Sequence, residues 1–191
     1  MFSLSYPTKS DIDAFIEEQS RRPFSYLNVG LSRNGSPAGF TVDHNRIVLG
    51  SGDADFERAK QGIRHWEMFN FPWAKLCWPD TLIEADRTVA VVVKHFGFYS
   101  LNACRIVYTI DELDRFGFAY GTLPEHAETG EERFSVEFDR TTGDVTYDLF
   151  AFSKPNPLLA KLGYPLTRYL QKRFAPESMA AMRRAVGRML E

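Results

Sequence analysis

A short segment near the middle of the chain combines one histidine with three carboxylates: His126, Glu128, Glu131 and Glu132. A histidine beside carboxylates can act as a general base, because nearby negative charge raises its pKa. The segment lies, however, in the turn of a predicted β-hairpin, where polar residues are expected without catalysis. We therefore favour a solvated turn, with His126 as a candidate for a pocket mouth. Glu132 differs, because strand alternation places it beside Phe134, where a carboxylate needs Arg, Tyr or water as partner.

Aromatic residues that alternate along the predicted strands form the second candidate site. A tyrosine hydroxyl in an apolar interior needs a hydrogen-bond partner, and a cavity with a few polar groups is the usual small-molecule site. The same side chains can instead fill the core, with their hydroxyls bonded to main chain or water. Both interpretations stay open. The residues of the predicted inner face from which we expect ligand contacts are Tyr108, Phe118, Tyr120, Glu132, Phe134 and Tyr147.

The sequence lacks the residue spacings of common catalytic and cofactor-binding motifs. Residues 49–52 lie between a predicted strand and helix, but Asp55 stands where GxGxxG needs its last glycine, and no GK[ST] follows. The four histidines are scattered without an HExxH pair, so no metal site is predicted. There is no GxSxG elbow, and Ser153-Lys154 lacks SxxK spacing. We expect no catalytic residue and no cofactor, which favours a non-enzymatic role.

Two helical patterns precede the predicted strands. Ser10, with Asp13 three residues later, predicts the N-terminal cap of a short helix that ends near Ser20. A loop containing several glycines leads to a first strand over residues 40–49. The residues that then recur at helical spacing and predict a second helix are Phe56, Ala59, Ile63 and Trp66.

Five β-rich segments with short turns follow, over residues 88–96, 102–110, 116–122, 132–139 and 145–152. Consecutive strands joined in this way favour an antiparallel meander. Alternation gives each strand one large apolar face and one small or polar face. It places Tyr108 on the inner side with Cys104 and Ile106. It places Arg105 on the outer side, where we expect a cross-strand pair with Glu137 or Asp148.

A long amphipathic helix is predicted at the C-terminal end, with Asn156 as its cap and Pro157 at its first position. Pro165 and Pro176 should kink or divide it. Its basic residues could serve a membrane surface or a nucleic acid, but we favour a solvated face opposite the sheet. The leucines and phenylalanine that repeat along its apolar side are Leu158, Leu162, Leu166, Leu170 and Phe174.

Composition indicates the cellular compartment and the classes of partner that we expect for the protein. The 191 residues carry a formal net charge of −2, which favours neither a nucleic acid nor an anionic membrane as partner. Cys77 and Cys104 lie in different predicted elements and form no CxxC, which favours a reducing compartment. No signal pattern begins the sequence, and no stretch approaches 18 apolar residues. We therefore expect a cytoplasmic protein without a transmembrane segment.

Several stretches together resemble the uncharacterised family DUF1990 across nearly the whole chain. The stretches are Tyr26-Leu27-Asn28-Val29-Gly30, Asn102-Ala103-Cys104-Arg105-Ile106-Val107-Tyr108, Gly117-Phe118-Ala119-Tyr120-Gly121-Thr122-Leu123-Pro124 with its continuation through His126 to Phe134, and Ala151-Phe152-Ser153-Lys154-Pro155. The resemblance implies the START-like, or Bet v 1-like, superfamily (SRPBCC) and its helix-grip fold. Most members of that superfamily bind lipids, sterols or polyketides in a cavity, and some are cyclases or hydrolases.

The sequence and the resemblance predict the same α+β architecture, a curved antiparallel sheet wrapped around a long C-terminal helix. We expect one START-like domain over residues 1–191, with an N-terminal helix and loop over residues 1–39 and the helix-grip core over residues 40–191. The expected function is binding of a small apolar or amphipathic molecule between sheet and helix. The alternatives are a cyclase or hydrolase that uses the same pocket, and an interaction module with a filled core.

Overall fold

The computed structural model describes residues 2–156 and 164–188, and in the last helix it describes the side chains of residues 173–187. The described helices are α1 (Lys9–Ser20), α2 (Gly52–Arg64) and α3 (Tyr164–Arg188). The described strands are β1 (Phe2–Ser3), β2 (Thr41–Ser51), β3 (Ala74–Cys77), β4 (Thr88–Lys94), β5 (Tyr99–Glu112), β6 (Arg115–Thr122), β7 (Glu128–Phe138) and β8 (Asp144–Pro155).

The strands form a single curled antiparallel sheet in the order β2-β8-β7-β6-β5-β4-β3, and the short β1 pairs with β5. Helices α2 and α3 pack against the concave face, whereas α1 packs against β4 and β5 on the convex face. Consecutive strands are neighbours from β3 to β8, as their short turns predict. The predicted α+β architecture, a curved sheet around a C-terminal helix, is confirmed.

Large side chains fill the concave face where α2 and the C-terminal half of α3 cross it. The ring centroid of Phe118 lies 4.7 Å from that of Trp66 and 5.2 Å from that of Phe134. The hydroxyl of the fully buried Tyr147 lies 2.9 Å from the Ser178 hydroxyl of α3, which satisfies both groups. Burial of about 150–250 Å² for each aromatic side chain makes this the main apolar core.

A β-bulge in β5 reverses the expected face of Tyr108. Ile106 pairs with Tyr120 of β6, whereas Tyr108 pairs with Ala119, so the register shifts between the two β5 residues. Ile106 therefore belongs to the concave core, while Tyr108 lies on the convex face, with its hydroxyl 2.7 Å from the Ser32 hydroxyl. The expected inner position of Tyr108 is wrong, because a two-residue alternation does not continue through a bulge.

A buried carboxylate forms several of the hydrogen bonds that hold the N-terminal segment to the convex face. Glu131, only 2% exposed, accepts hydrogen bonds from the Tyr26 hydroxyl at 2.7 Å and from the main-chain amides of Gly30 at 2.7 Å and Ser32 at 3.0 Å. The Ser32 hydroxyl is a fourth donor. A Cβ at Gly121 would lie 2.1 Å from the Tyr26 hydroxyl oxygen, so a glycine at this position of β6 lets Tyr26 reach Glu131.

Helix α1 begins two residues earlier than its sequence pattern predicts. Thr8, not Ser10, is the N-cap: its side chain accepts a hydrogen bond from the Asp11 amide, and the Asp11 carboxylate accepts one from the Thr8 amide. Ile12 and Phe15 are buried against β4 and β5, as the apolar spacing predicts. The apolar pattern of the sequence therefore predicts the position of the helix, although its N-cap is Thr8 rather than the predicted Ser10.

Arg105 lies on the convex face as alternation predicts, but its partners are different. Its guanidinium donates hydrogen bonds to the main-chain carbonyls of Gln19 at 3.2 Å and Arg22 at 2.7 Å, at the C-terminal end of α1. The expected pair with Glu137 or Asp148 is therefore wrong. The physical reason is that the last carbonyls of a helix lack internal partners, and a cation placed there is favourable.

The C-terminal helix α3 continues as one helix with Pro176 inside it, so of the two expected effects of that proline, a kink or a division, the division does not occur. Pro165 lies in its first turn, where a missing amide breaks no internal bond. No described helix is long and apolar enough to cross a membrane. The expected first helical position at Pro157 and the positions of Leu158 and Leu162 lie outside the described residues, as do the side chains of Leu166 and Leu170.

Replacing Glu131 with Gln should lower the free energy of unfolding by about 2–4 kcal/mol, because an amide group would then oppose one of the donors now bonded to the carboxylate. Urea denaturation followed by circular dichroism measures this change. Glu57→Gln on the exposed side of α2 is the matched control, and we expect a change within about 0.5 kcal/mol. Equal stability of the two variants would show that this carboxylate does not hold the segment.

Candidate functional site

The concave face is not filled along its whole length. A cavity of about 370 Å³ lies between the sheet and residues 174–176 of α3, at the end of the sheet that carries the turn between β6 and β7. Inward-facing residues of β2 and β4–β8 form its sheet side, and the segment between α2 and β3 closes one flank. Its volume is within the range of about 300–1,000 Å³ that is usual for small-molecule sites.

One wall of the cavity is aromatic. The ring centroid of Phe69 lies 5.3 Å from that of Phe174 and 6.3 Å from that of Tyr120. Trp73 also lines the cavity, and its indole N–H donates a hydrogen bond of 2.8 Å to the carboxylate of Glu177 in α3. This hydrogen bond fixes the Trp73 ring to α3, so the connection before β3 and the helix together hold the aromatic wall in place.

A tyrosine–glutamate pair lies in the sheet opposite this wall. Tyr120 and Glu132 are register partners on β6 and β7, and the Tyr120 hydroxyl donates a 2.8 Å hydrogen bond to the Glu132 carboxyl. Burial raises the pKa of Glu132 to about 8, partly opposed by that hydrogen bond and reinforced by the negative charges of Glu128 and Asp43. Glu132 is therefore mostly protonated at neutral pH, with a proton that it can share or give up.

His126 lines the cavity from the turn between β6 and β7. Its Nδ1 lies 3.0 Å from the main-chain amide nitrogen of Glu128 and 3.2 Å from the main-chain oxygen of the same residue. Burial lowers the pKa of His126 to about 4. The expectation that this pKa is raised is wrong, because burial is the largest effect and outweighs the main-chain hydrogen bond at Glu128, which acts in the opposite direction. His126 is a neutral hydrogen-bonding group at the cavity.

A chain of polar side chains crosses from β5 to the same turn. The Nε2 atom of His95 lies 2.8 Å from the Ser100 hydroxyl, which accepts a hydrogen bond of 3.0 Å from the side-chain amide of Asn102. The Asn102 carbonyl in turn accepts a hydrogen bond from the Ala127 amide at 3.2 Å. Burial lowers the pKa of His95, so this ring is also neutral. These residues make the β5 side of the cavity polar but uncharged.

The predicted contact residues divide into three groups. Tyr120, Glu132 and His126 line the cavity. Phe118, Phe134 and Tyr147 share the concave face with them but lie in the packed core next to the cavity, and Tyr108 lies on the other face of the sheet.

Several residues that line the cavity are missing from the sequence prediction, among them Asp43, Phe69, Trp73, His95, Ser100, Asn102 and Phe174. Alternation continued backwards from Cys104 along β5 would have found Asn102 and Ser100. Phe69 and Trp73 follow no strand or helix period, because they lie in the connection before β3. Only the packing of that connection against α3 brings them to the cavity.

The arrangement can surround an apolar group with aromatic rings and present hydrogen-bonding groups to a polar end. Glu132 could also exchange a proton with a bound molecule, since its pKa of about 8 is close to neutral pH. Within the described part of the chain, no group of three or more His, Cys, Asp and Glu residues is placed to hold a metal ion.

A family model called domain of unknown function DUF1990 matches residues 25–181. The chain belongs to the DUF1990 family. A UPF0548 protein of Deinococcus radiodurans is 36% identical and aligns with 98% of this chain and 100% of its own length. A UPF0548 protein of Dictyostelium discoideum is 34% identical, over 98% of this chain and 96% of its own. The DUF1990 match includes the Glu131 contacts and the cavity, and begins after α1.

Among solved structures, the chain is similar to the di-domain ARO/CYC StfQ from the steffimycin biosynthetic pathway. The TM-score is 0.50 at 15% sequence identity, over 78% of this chain and 50% of that chain. At this identity the likeness shows the fold alone. The START-like, or Bet v 1-like, helix-grip fold implied by the DUF1990 resemblance is confirmed.

Glu132→Gln should stabilise the protein increasingly as pH rises. Burial raises the pKa of Glu132 from 4.5 to about 8, so the stability that its protonated form contributes is full below pH 4.5 and is lost as pH rises through 8. Glutamine does not ionise and still accepts the Tyr120 hydrogen bond. Urea denaturation should show the variant gaining about 4 kcal/mol over wild type between about pH 5 and 9.

The control for this prediction is Glu57→Gln, which removes a carboxylate that is 60% exposed on α2. Its stability difference from wild type should stay constant over the same pH range. A difference for Glu132→Gln that is equally flat would show that Glu132 ionises as freely in the folded chain as in the unfolded one.

Proposed function

We propose that this DUF1990 protein binds a small apolar or amphipathic molecule in the cavity between the sheet and α3. The main observation that supports this proposal is the cavity itself, which interrupts an otherwise packed concave face and has both an aromatic wall and polar groups. In this proposal Phe69, Trp73 and Phe174 bury the apolar part of the molecule. Tyr120 and Glu132 orient its polar end.

The packing around the cavity supports this proposal. Protein interiors are close-packed, and a large void in a core lowers stability because its lining loses contacts. Polar lining groups such as Tyr120 and Ser100 already have partners within the protein, so they are held in position before anything enters. A site whose groups are fixed in advance loses less entropy on binding.

The basic residues of α3 give less support to a membrane or nucleic-acid role. Arg173 lies over the Trp73 ring, 5.2 Å from its centroid, and pairs with Glu177 at 2.5 Å. Arg184 donates a hydrogen bond to the main-chain carbonyl of Asn70 at 3.1 Å. These arginines therefore connect α3 to the connection before β3, which carries the aromatic wall. The cavity likewise argues against an interaction module with a filled core.

An enzyme that uses the same cavity is the second candidate. The observation that favours it is the Tyr120–Glu132 pair, because burial holds a proton on a carboxyl group inside a cavity at neutral pH. Such a group can protonate a bound molecule or remove a proton from it near pH 7. This role needs no metal ion and fits the cyclase or hydrolase alternative predicted from the DUF1990 resemblance.

Filling the cavity should abolish binding. Ala151 of β8 lines the cavity, and its register partners are Asp43 and Glu132, so Ala151→Leu adds three carbon atoms at its centre. We expect mass spectrometry of solvent extracts to find a small molecule that co-purifies with wild type and is reduced at least tenfold in Ala151→Leu. Ala14→Leu, the same change on the exposed side of α1, should leave the yield unchanged.

The same yield from Ala151→Leu and Ala14→Leu would contradict binding in this cavity. So would the absence of any co-purified molecule combined with no uptake of an added apolar dye by folded wild-type protein.

The enzyme candidate predicts chemical conversion of the co-purified molecule. Chromatography after incubation with wild type should show a new product. Glu132→Gln should slow its formation by at least about tenfold while the variant still binds the molecule, because glutamine cannot transfer the proton. Product formation at the wild-type rate by Glu132→Gln would show that Glu132 takes no part in the reaction. Recovery of the unchanged molecule from wild type would contradict catalysis and support binding only.

A further inference from the structure

The charges around the cavity indicate the chemical class of its ligand. We propose that the bound molecule carries a positive charge, as a protonated amine or a quaternary ammonium group, attached to an apolar portion. This inference rests on the binding function proposed above and adds to it the sign of the ligand's charge.

Within the described part of the chain, the ionisable groups that line the cavity are acidic or neutral. Asp43, Glu128 and Glu132 are lining carboxylic acids, and none of the described lining residues is Lys or Arg. The rings of His95 and His126 line it as well, and burial lowers the pKa of both, so they carry no charge at neutral pH. Among these described lining residues an anionic headgroup would find no cation, whereas a cation would complement the carboxyl group of Glu132.

Glu131 also contributes to the lining, but its carboxylate is already occupied on the convex face by the Tyr26 hydroxyl and by amides of the N-terminal segment. Among the described residues Glu132 has one hydrogen-bond donor, the Tyr120 hydroxyl, for a group that can accept several. Glu132 therefore keeps capacity for a ligand. Its position next to Ala151, a small side chain, leaves room for that ligand beside it.

The aromatic wall favours the same charge. Phe69, Trp73, Tyr120 and Phe174 surround the part of the cavity nearest α3. Aromatic faces attract cations, most strongly when the cation is desolvated, and recognition of quaternary ammonium groups is a common use of several such rings together. The wall and the carboxyl of Glu132 thus offer the two types of contact that an apolar ammonium ion requires.

A bound cation should also change the protonation of Glu132. Burial raises its pKa to about 8, and Glu128 and Asp43 add to this increase. A positive charge in contact with Glu132 would favour its ionised form, so binding should release a proton and should strengthen as pH rises. The titratable groups that face Glu132 are Tyr120 on β6, Cys104 on β5, Tyr147 on β8, Asp43 on β2 and Glu128 on β7.

Of Glu132, Tyr120, Cys104 and Tyr147, Glu132 is the group that should titrate between pH 6 and 9. Burial keeps the pKa of Tyr120, Cys104 and Tyr147 well above their ordinary values, so all three stay protonated. His126, with its pKa near 4, is already neutral. A change in cation affinity over this range therefore reports on Glu132.

Three probes with the same chain and different headgroups test the inference: octyltrimethylammonium, 1-octanol and octyl sulfate. Their charges do not change between pH 6 and 9, so any pH dependence comes from the protein. Isothermal titration calorimetry at about pH 8.5 should show octyltrimethylammonium binding at least about tenfold more tightly than 1-octanol, and octyl sulfate more weakly than both. Its affinity should rise about tenfold from pH 6 to 9, while that of 1-octanol stays flat.

Glu132→Gln should reduce the preference for octyltrimethylammonium over 1-octanol at least fivefold and remove its pH dependence. Glu57→Gln removes an exposed carboxylate on α2 and should change neither this preference nor its pH dependence. Binding of 1-octanol that Ala151→Leu blocks, without any preference for the ammonium probe, would overturn the positive charge and leave the proposed cavity binding intact. Failure of all three probes to bind folded wild-type protein would overturn both.

Discussion

Two adjacent carboxyl groups on β7 connect the stability of this fold to its cavity. Strand alternation sends Glu131 to the convex face and Glu132 to the concave face. Glu131 holds the segment of Tyr26, Gly30 and Ser32 across the outside of the sheet. Because β7 lies near the middle of the sheet, fixing Glu131 on one side also fixes the register and direction of Glu132 on the other.

The two carboxyl groups differ in how well they are satisfied. Glu131 accepts four hydrogen bonds, which is enough for a buried carboxylate to remain in place at low cost. Glu132 accepts one described hydrogen bond, from Tyr120, and burial raises its pKa to about 8. A partly satisfied polar group in a cavity is a stability defect unless something binds it. Such a defect is typical of functional sites, where stability is exchanged for binding or chemistry.

Most of the fold could be predicted from the sequence, since alternation and turn spacing are local signals. They predict the meander, the inward faces of Phe118 and Glu132, and the convex position of Arg105. The predictions that fail depend on structural features that a local sequence pattern does not contain. The bulge in β5 moves Tyr108 to the other face, and Trp73 reaches the cavity only because α3 packs beside its loop. The sheet side of the concave site is therefore visible in the strand pattern, whereas the connection before β3 is not.

The position of the cavity can also be understood from side-chain size along each strand. At the α2 end the inward residues are large and apolar, and toward the turn between β6 and β7 they become small or polar. In order toward the cavity they are Tyr147, Leu149, Ala151 and Ser153 on β8; Ile106, Cys104, Asn102 and Ser100 on β5; and Phe118, Tyr120 and Thr122 on β6.

The register aligns these three gradients: one step beyond the level of Ile106 and Tyr120, Cys104 pairs with Thr122 on one side, and Gly130, which bonds to Thr122, pairs with Ser153 on the other. Side chains shrink together at one level of the sheet, so α3 cannot close the space there as it does beside Tyr147. The hollow end thus follows from the inward residues of three strands read in register. Their polarity at the same level is what makes the hollow suited to a ligand with a polar end rather than to further core packing.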